Sequence, residues 1–397
     1  MSKQTIRDLS LHGRKVLVRV DFNVPQGSDG SVSDDRRIRG ALPTLNHALE
    51  QGASLILVSH LGRPSGDSAK DAKFKLDAVA ARLSELIGRP VKKADDVVGS
   101  SAKSLCAALG PGEIVVLENV RFHPGEKKGD PSFAAEIAAL ADVYVNDAFG
   151  TCHRDEASMV AVPERFDPDR RSIGFLVERE LEILETLLGS PKKPLVAVMG
   201  GAKISGKIDV IENLLPMVDH LLIGGAMSYT FLKAAGHSTG NSLVENDRLD
   251  VARELRQKAG AKLVLPIDYL IADKMSADAK TKVVTGPDIP DGWEGFDIGP
   301  ATLAKFGDIV KNAGTVVWNG PLGKFEIEPF SKGTRGMAEA LANSKAITVV
   351  GGGETAEAVA QFGFADQVSH VSTGGGAFLE YLEGKTFNSL KIIPDRA

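Results

Sequence analysis

The sequence has few cysteines and no long run of basic or of apolar residues. Its 397 residues include two cysteines, Cys106 and Cys152, which excludes a disulfide framework and a thiolate metal cage. The net charge of −5 and the lack of basic runs argue against nucleic acid as a partner. No apolar stretch approaches the roughly 20 residues that span a bilayer, and the N-terminal residues lack the apolar segment of a signal peptide. A cytoplasmic protein without a membrane partner is therefore expected.

Metal-binding motifs and internal repeats are also missing from the sequence. The eight histidines form no H-E-x-x-H motif and no paired Cys/His spacing, so no protein-built metal cage is predicted. No fixed-period repeat predicts a solenoid or a propeller. With 43% hydrophobic and 25% charged residues, the composition is that of an ordinary globular protein. Because the chain is too long for one hydrophobic core, two domains are predicted.

Short segments rich in β-branched residues recur along the chain, and each ends in a glycine-rich or polar loop. They lie at residues 15–20, 54–59, 113–118, 142–146, 194–199, 220–224, 262–266, 314–319 and 346–351. These segments lack polar alternation, which is typical of strands buried on both faces. Segments with helical periodicity lie between them. The pattern predicts an α/β fold with two doubly wound parallel-sheet domains.

Residues 177–191 predict a helix between the two halves. Leu181, Leu184 and Leu188 form a narrow apolar stripe, and four of the other positions are glutamate. A glycine and a proline end the segment. A helix that is polar on most sides suits a bridge between two domains, and an ordinary surface helix has the same pattern. Both interpretations stay open at this stage.

Polar and basic residues follow the predicted strands of the first half. In open α/β sheets, ligands bind beyond the carboxyl ends of the strands. The residues in these loops are Asp21, Asn23, Arg37, Arg39, His60, Arg63, Arg121, His153 and Arg154. Taken singly, such an arginine is usually a solvated charge or an ion-pair partner, and such a histidine is usually structural. Their repetition at strand ends favours a site for a small anion that carries phosphate and carboxylate groups, which arginine binds through two parallel hydrogen bonds.

Cys152 and His153 are neighbours in sequence, which raises the possibility of a thiolate nucleophile. Adjacent residues on an extended segment point in opposite directions, so the two side chains are not expected to meet. Cys152 is therefore interpreted as a small packed thiol.

Glycine loops follow the predicted strands of the second half. The segment M-G-G-A-K-I-S-G-K-I at residues 199–208 nearly matches a P-loop, but Ile208 replaces the hydroxyl residue that would hold Mg²⁺. Similar loops are G-G-A-M after residues 220–224 and G-G-G-E-T after residues 346–351. Gly374–Gly376 precede a predicted helix. Glycines let backbone N–H groups converge on an anion, and a helix N-terminus adds its positive dipole end.

These loops together predict a polyphosphate site. Lys203 and Lys207, four residues apart at a predicted helix start, are expected on one helix face, where they follow the charge of the phosphates. Because Ile208 has no hydroxyl, a carboxylate from another loop must hold the metal ion. Glu354 in G-G-G-E-T is the expected magnesium ligand.

Taken together, these segments resemble the phosphoglycerate kinase family. The motifs occur in order from about residue 5 to residue 394: R-V-D-F-N-V-P, R-I-R-G-A-L-P-T, S-H-L-G-R-P, L-E-N-V-R-F-H, Y-V-N-D-A-F-G-T, G-G-A-K-I-S-G-K-I, W-N-G-P-L-G-K-F-E, G-G-G-E-T and S-T-G-G-G-A-F-L-E. The resemblance implies two α/β domains facing each other across a cleft. It implies a phosphoglycerate domain at residues 1–176 joined by the tail 381–397, a hinge helix at 177–190 and a nucleotide domain at 191–380.

The resemblance also implies a role for individual residues. The positions implied to bind 3-phosphoglycerate are Asp21, Phe22, Asn23, Arg37, His60, Leu61, Gly62, Arg63, Arg121 and Arg154. Those implied to bind the nucleotide are Lys207, Gly295, Glu326, Gly352, Gly353, Glu354 and Thr355. The implied catalytic groups are Arg37, Lys203, Lys207, Gly375 and Gly376. Glu354 stands where the family usually has aspartate, and Glu156 where a histidine is usual.

The implied reaction is the reversible transfer of the acyl phosphate of 1,3-bisphosphoglycerate to Mg·ADP, which gives 3-phosphoglycerate and ATP. In-line transfer with hinge closure and a monomeric enzyme are expected. One alternative is a catalytically inactive nucleotide-binding module, against which Arg37, Lys203 and Lys207 argue. The other is a dinucleotide-dependent dehydrogenase, for which no G-x-G-x-x-G followed by an acidic residue about twenty positions on is present.

Overall fold

The computed structural model describes residues 3–396, which divide into two compact units. The first unit comprises the residues up to Glu182 together with those from Thr386 onward, and the second comprises Ile183–Lys385. Each unit contains a six-stranded parallel sheet with helices between the strands, which confirms the predicted α/β class. The assignment of one unit to the acid substrate and the other to the nucleotide remains a prediction.

The strands include every predicted segment and six that were not predicted. They are β1 (Lys15–Val20), β2 (Ser54–Val58), β3 (Val91–Lys93), β4 (Ile114–Val116), β5 (Val143–Asp147), β6 (Arg171–Ile173), β7 (Leu195–Met199), β8 (His220–Ile223), β9 (Leu263–Val264), β10 (Asp268–Ala272), β11 (Thr281–Thr285), β12 (Glu294–Ile298), β13 (Thr315–Asn319), β14 (Ile347–Gly351) and β15 (His370–Val371). The unpredicted strands are β3, β6, β10, β11, β12 and β15.

The helices connect these strands. They are α1 (Arg36–Glu50), α2 (Ser68–Asp71), α3 (Asp77–Ile87), α4 (Ser100–Ala107), α5 (Pro124–Lys128), α6 (Pro131–Ala138), α7 (Phe175–Gly189), α8 (Ile208–Leu214), α9 (Met227–Ala234), α10 (Leu249–Ala259), α11 (Pro300–Lys311), α12 (Lys332–Ala342), α13 (Gly353–Gln361), α14 (Gly375–Leu382) and α15 (Asn388–Lys391). None of the helices formed by residues 3–396 has the length and apolar character needed to cross a bilayer.

Helix α7 corresponds to the helix predicted between the two halves. The division between the units falls within it, after Glu182. Leu181 and Leu184 are buried as expected, but Leu187 is buried where the predicted stripe had Leu188, which is half-buried. The helix therefore has a continuous apolar side and a side rich in charged residues.

The first unit has the strand order β3-β4-β2-β1-β5-β6, and all neighbouring strands are parallel. β1 lies between β2 and β5, with Lys15 opposite Ser54 and Val16 opposite Val143. Its fully buried valines pack against α1 and α3 in one apolar core. Because parallel strands end at one edge, the loops after β1, β2 and β5 meet there.

The second unit has the strand order β15-β14-β13-β7-β8-β9, again parallel throughout. β13 lies between β7 and β14, with Thr315 opposite both Leu195 and Ile347. Trp318, which is fully buried, is the largest side chain of the core that forms around this sheet. The glycine-containing loops that follow β7, β13 and β14 consequently adjoin at one edge.

The second unit also contains a three-stranded antiparallel sheet, ordered β11-β10-β12, that the sequence pattern did not predict. Four of the five residues of β11 are exposed, so this strand lacks the apolar run that marks a buried strand. The prediction of parallel sheets was therefore correct but incomplete. The added sheet carries Gly295, one of the predicted nucleotide-site residues, in β12.

The last described residues return to the first unit. The Lys3 ammonium donates to the Ile393 carbonyl at 3.0 Å and pairs with Asp395 at 2.8 Å. The Gln4 N–H donates to the Pro394 carbonyl, and the Ser389 hydroxyl donates to the Cys152 carbonyl at 2.7 Å. Ile393 is fully buried, so this segment is part of the packed structure of the first unit.

Candidate active site

The loops after β1 and β2 bring several predicted acid-site residues together. Arg37 Nη1 donates to Asp21 Oδ2 at 2.8 Å, and the Gly62 N–H donates to Asn23 Oδ1 at 2.8 Å. Gly62 has a φ of +62°, and a Cβ there would lie 2.2 Å from the Phe74 ring. Glycine is therefore required at this position both by the backbone conformation and by the space.

Charge and burial act in opposite directions on Asp21. Burial alone would raise the pKa of this carboxyl, but the charges of Arg37, His60 and Arg19 outweigh it and lower the pKa below its ordinary value. Asp21 is therefore ionised at neutral pH. It fixes Arg37, whose side chain remains about one-third exposed.

His60 is buried next to the same carboxylate. Desolvation lowers its pKa well below the ordinary value, because it outweighs the raising effect of Asp21 and is reinforced by nearby arginines. The imidazole is neutral, and its Nδ1 lies 3.2 Å from Arg19 Nη2. Since arginine only donates, His60 Nδ1 accepts this hydrogen bond. This geometry fits the structural interpretation of His60, and its contact with substrate remains a prediction.

Arg121 and Arg154 share a carboxylate. Arg121 Nη2 donates to Glu156 Oε1 at 2.8 Å, and Arg154 Nη1 lies 3.6 Å from the same oxygen. Arg121 Nη1 also donates to the Gly62 carbonyl at 3.0 Å, which ties it to the loop after β2. Arg121 is buried, whereas the Arg154 side chain is 42% exposed.

Of the other predicted acid-site residues, Arg63 exposes its side chain, whereas Phe22 and Leu61 do not. Arg63 is exposed, and its guanidinium has no hydrogen bond or ion pair with any residue that the structure describes. The Phe22 and Leu61 side chains are buried, and their N–H groups donate to Ser59 and Asn119. Their roles in substrate binding remain predictions, and a side-chain contact is available to Arg63 but not to these two.

Arg19, in β1, is a buried residue of this region that was not predicted from the sequence. Its side chain is fully buried, and Nε donates to Ser158 Oγ at 2.8 Å. The Ser158 hydroxyl and N–H both donate to the buried Glu126 carboxylate. The available signal was an arginine within the otherwise apolar run K-V-L-V-R-V.

Cys152 is a packed thiol, as interpreted from the sequence. It is fully buried, and burial raises its pKa to about 12, so it is not a thiolate nucleophile. The geometric reason given from the sequence was wrong, however. Residues Phe149–Thr151 form a 3₁₀ turn that continues into Cys152, so the segment is not extended.

Lys207 and Asn319 form the centre of the predicted nucleotide site in the second unit. Lys207 precedes α8, and its ammonium donates to the Asn319 carbonyl at 3.1 Å and to the Asn319 side-chain oxygen. Desolvation lowers the Lys207 pKa to about 8, against the opposing charge of Glu354. Asn319 was not predicted, although it follows the strand-end rule that identified the others.

Lys203 does not share a helix face with Lys207, so that prediction was wrong. The glycine-rich chain around Lys203 forms turns, and α8 begins only at Ile208. Lys203 is exposed, and within residues 3–396 its ammonium has no hydrogen-bond or ion-pair partner. The turn is held by Glu245, whose carboxylate accepts from the Ile204 N–H and from the Ser205 hydroxyl, both at 2.5 Å.

Two helix starts adjoin at the glycine loops, and the sequence predicted one of them, at Gly374–Gly376. Gly352 has a φ of +95°, and a Cβ there would lie 2.7 Å from Asn319 Nδ2. A Cβ on Gly375, the first residue of α14, would lie 3.1 Å from the Gly353 nitrogen at the start of α13. Thr355 accepts from the Gly320 N–H at 2.7 Å. Backbone N–H groups of α13 and α14 are thus available to one anion.

Gly295 lies in β12 of the antiparallel sheet, and Glu326, which is distant in sequence, is near this strand through its contact with Lys324. The Gly295 N–H donates to Ser242 Oγ at 2.9 Å, and Glu326 is paired with Lys324 at 2.8 Å. The Lys324 N–H donates to the Phe296 carbonyl, which connects the two positions. No hydrogen bond among the described residues joins them to Lys207.

The residues around Glu354 are compatible with Mg²⁺. Glu354 is exposed in the first turn of α13. Residues 3–396 contain no group of three or more metal-ligating side chains. Mg²⁺ is commonly held by one or two carboxylates together with substrate phosphates, so a single carboxylate beside a phosphate-binding surface fits this ion.

Comparison with known proteins gives the family. The family model of phosphoglycerate kinase matches residues 6–385. The chain belongs to the phosphoglycerate kinase family. It is 50% identical over 397 residues to the phosphoglycerate kinase of Rhodopirellula baltica, with both chains fully covered. It is 50% identical over 396 residues to that of Rubrobacter xylanophilus, covering 100% of this chain and 99% of the relative. The structure of phosphoglycerate kinase from Coxiella burnetii matches with a TM-score of 0.86 and 44% identity over 98% of each chain.

Membership of this family confirms the predicted enzyme class, its phosphoryl-transfer reaction and its use of ATP and ADP. It gives no support to the inactive nucleotide-binding module. The roles of individual residues and the binding of Mg²⁺ remain predictions.

Proposed function

We propose that the first unit binds 3-phosphoglycerate or 1,3-bisphosphoglycerate and that the second unit binds Mg·ADP or Mg·ATP. The observation that carries this proposal is that the two units offer different anion-binding groups: arginine side chains in the first, and a lysine with helix N-termini in the second. The first unit offers the exposed Arg63 and the partly exposed Arg37 and Arg154. The second offers Lys207 and the helix starts at Gly353 and Gly375.

The acid substrate suits the arginines. Arg37 is fixed by the ionised Asp21, and Arg63 is not engaged by another described side chain. Guanidinium groups donate paired hydrogen bonds to carboxylate and phosphate, which are the two groups at the ends of 3-phosphoglycerate. Arg121 and Arg154 are proposed to add two further guanidinium groups. Asp21 and Asn23 hold the loops that carry the cations.

The nucleotide phosphates suit the second unit. Lys207 donates to Asn319 and interacts with the charge of Glu354, and burial lowers its pKa to about 8. A bound phosphate stabilises the charged ammonium. Glu354 would hold Mg²⁺, which neutralises phosphate charge when bound. Gly295 and Glu326 are proposed to contact the nucleoside end.

In the direction of ATP formation, a β-phosphate oxygen of ADP attacks the phosphorus of the acyl phosphate. The bond from phosphorus to the carboxyl oxygen breaks, and the electron pair leaves with the carboxylate of 3-phosphoglycerate. Because carboxylate is a stable leaving group, no protein acid has to donate a proton. The protein's contribution is in-line positioning and charge neutralisation, which we assign to Arg37, Lys203 and the N–H groups at Gly375 and Gly376.

We further propose that α7 acts as the hinge for closure, because the division between the units falls within it. Small-angle scattering with both substrates present tests this, and an unchanged radius of gyration would contradict it. The family resemblance also supports a cytoplasmic monomer that acts on soluble small molecules and not on nucleic acid or membranes.

A coupled assay tests the proposed reaction. Purified protein with ATP, Mg²⁺ and 3-phosphoglycerate is expected to form an acyl phosphate, detected as a hydroxamate, and excess EDTA is expected to stop turnover. Nucleotide binding without turnover would support the inactive module. Binding of NAD without any response to Mg·ADP would support the dehydrogenase alternative.

A further inference from the structure

Glu156 has an unusual position for a carboxylate. Its side chain is 7% exposed, and it lies between two arginines that we assign to an anion site. Oε1 is 2.8 Å from Arg121 Nη2 and 3.6 Å from Arg154 Nη1. A negative charge in this place occupies the groups that an incoming anion would use.

The pairing of Glu156 with Arg121 leaves buried polar atoms unsatisfied. Glu156 Oε2 and Arg121 Nε are both buried, and neither has a hydrogen-bond partner among the described residues. A pair that served only to stabilise the fold would be expected to satisfy these atoms, because unsatisfied buried polar groups are costly. Arg121 therefore retains unused donor capacity beside the Gly62 loop, to which it donates at 3.0 Å.

Arg154 is held less firmly. Its Nη1 lies 3.6 Å from Glu156, beyond ordinary hydrogen-bond distance, and its side chain is 42% exposed. Arg154 can therefore turn toward a bound anion and lose little of its interaction with Glu156. Arg121 would have to share its charge between Glu156 and that anion.

We propose that Glu156 is a specificity-determining residue that competes, as a built-in anion, with small anions for Arg121 and Arg154. The inference rests on the proposed acid site in the first unit. A carboxylate offers guanidinium the same contacts as a substrate carboxylate or phosphate, and its charge repels both. Glu156 thereby weakens the binding of single small anions. A ligand with two anionic groups loses less binding affinity, because its second group can bind another cation, such as Arg63.

The test uses Glu156→Gln, which keeps the volume and the Oε1 acceptor but removes the charge. The full-length variant is expected to bind inorganic sulfate about tenfold more tightly, measured as competitive inhibition against 3-phosphoglycerate and as a sulfate-dependent rise in Tm. The KM for 3-phosphoglycerate is expected to fall about threefold, with the KM for ATP unchanged. Sulfate affinity should thus rise more than substrate affinity.

Two further variants control this experiment. Glu156→Asp keeps the charge and is expected to retain weak sulfate binding. Glu85→Gln removes the carboxylate of an exposed pair with Arg82 on α3 and is expected to change neither constant. A Glu156→Gln protein that folds and binds sulfate no more tightly than wild type would overturn the proposal, as would an equal gain in Glu85→Gln.

The Tm measurement keeps the inference separate from the proposed function. If wild-type protein shows no turnover of 3-phosphoglycerate, the proposed reaction fails. The sulfate-dependent Tm shift still reports whether Glu156 limits anion binding. If Glu156→Gln does not fold, Glu156→Asp decides: tighter sulfate binding despite the retained charge would contradict competition by charge, and wild-type binding would support it.

Discussion

The two proposed half-sites differ in the protein groups that they offer to phosphate-bearing molecules. In the first unit the donors are side chains, and Arg37, Arg121 and Arg154 each lie against a carboxylate. In the second unit the donors are mostly peptide N–H groups, which α13 and α14 present at adjoining helix starts. The first arrangement depends mainly on charged side chains that already pair with carboxylates. The second depends mainly on backbone shape, and its buried cation, Lys207, interacts with the charge of Glu354.

This difference determines how each half-site should respond to substitution. Removing a charge should alter affinity in the first unit, since a bound anion would compete there with Asp21 and Glu156 for the arginines. Adding a methyl group should alter affinity in the second unit, since the backbone must approach the phosphates closely. Lys203 is the exception in the second unit, because it is a side-chain cation without a partner among the described residues.

The largest expected effect is that of Lys203→Ala. We expect kcat to fall about 10²–10³-fold, comparable to the loss of one transition-state donor, with nucleotide Kd changed less than threefold. The exposed ammonium has no partner within residues 3–396, so it would be able to follow the transferring phosphoryl group. Steady-state kinetics and calorimetry measure the two quantities, and Lys233→Ala, an exposed lysine of α9, is the matched control. Equal losses in kcat and nucleotide affinity would show that Lys203 acts in ground-state binding.

Gly352 and Gly353 form a pair that separates backbone strain from phosphate contact. Gly352 has a φ of +95° and too little room for a Cβ, whereas Gly353 has open space around it. Gly352→Ala is expected to destabilise the protein by about 1–3 kcal/mol and to weaken ADP binding about tenfold. Gly353→Ala is expected to leave Tm at or above the wild-type value and to weaken ADP binding through crowding. Similar Tm values for both variants would contradict the shape argument.

Arg63→Ala tests the electrostatic half-site. Because Arg63 is exposed and unengaged among the described residues, its loss should cost substrate binding and not folding. The KM for 3-phosphoglycerate is expected to rise about tenfold, corresponding to roughly 1.4 kcal/mol, with the KM for ATP within twofold of wild type. Arg89→Ala is the control, because Arg89 is also exposed and follows the C-terminal end of α3. A rise in the KM for ATP instead would mean that the ligands are assigned to the wrong units.

The prediction with the smallest expected effect on activity concerns Asp147, a buried carboxyl beside which the described residues place no stabilising cation. Its Oδ1 accepts from the Leu176 N–H at 3.0 Å, and burial raises its pKa to about 7. The folded protein therefore binds the proton more tightly than the unfolded chain. The stabilisation this gives is present below pH 4 and is lost as pH rises to about 7.

Asp147→Asn provides the measurement, because its amide oxygen keeps the acceptor and does not titrate. The free energy of unfolding of wild type minus that of the variant is expected to fall by about 2–3 kcal/mol from pH 5 to pH 8. Chemical denaturation at both pH values measures it. A difference that stays constant with pH would mean that Asp147 is ionised throughout.

Much of this organisation could be predicted from the sequence because it depends on local patterns. Continuous apolar runs identified the nine strands that were predicted. The polar residues after them made Asp21, Arg63 and Glu354 candidates, and their roles remain predictions. The antiparallel sheet was missed because exposed strands such as β11 have no such run. The position of Lys203 was wrong because a helical spacing of four residues does not show where a helix begins. Glu245 gave no signal, since it contacts Ile204 and Ser205 from 40 residues away.

The return of residues beyond Thr386 to the first unit has a consequence for biosynthesis. Ile393, which has no exposed surface, and the Ser389 hydroxyl bound to the Cys152 carbonyl complete a body whose other residues are translated at the start of the chain. The middle of the polypeptide, Ile183–Lys385, leaves the ribosome as an uninterrupted stretch and has all its own strands before synthesis reaches residue 386. The part of the protein made first is therefore the part finished last.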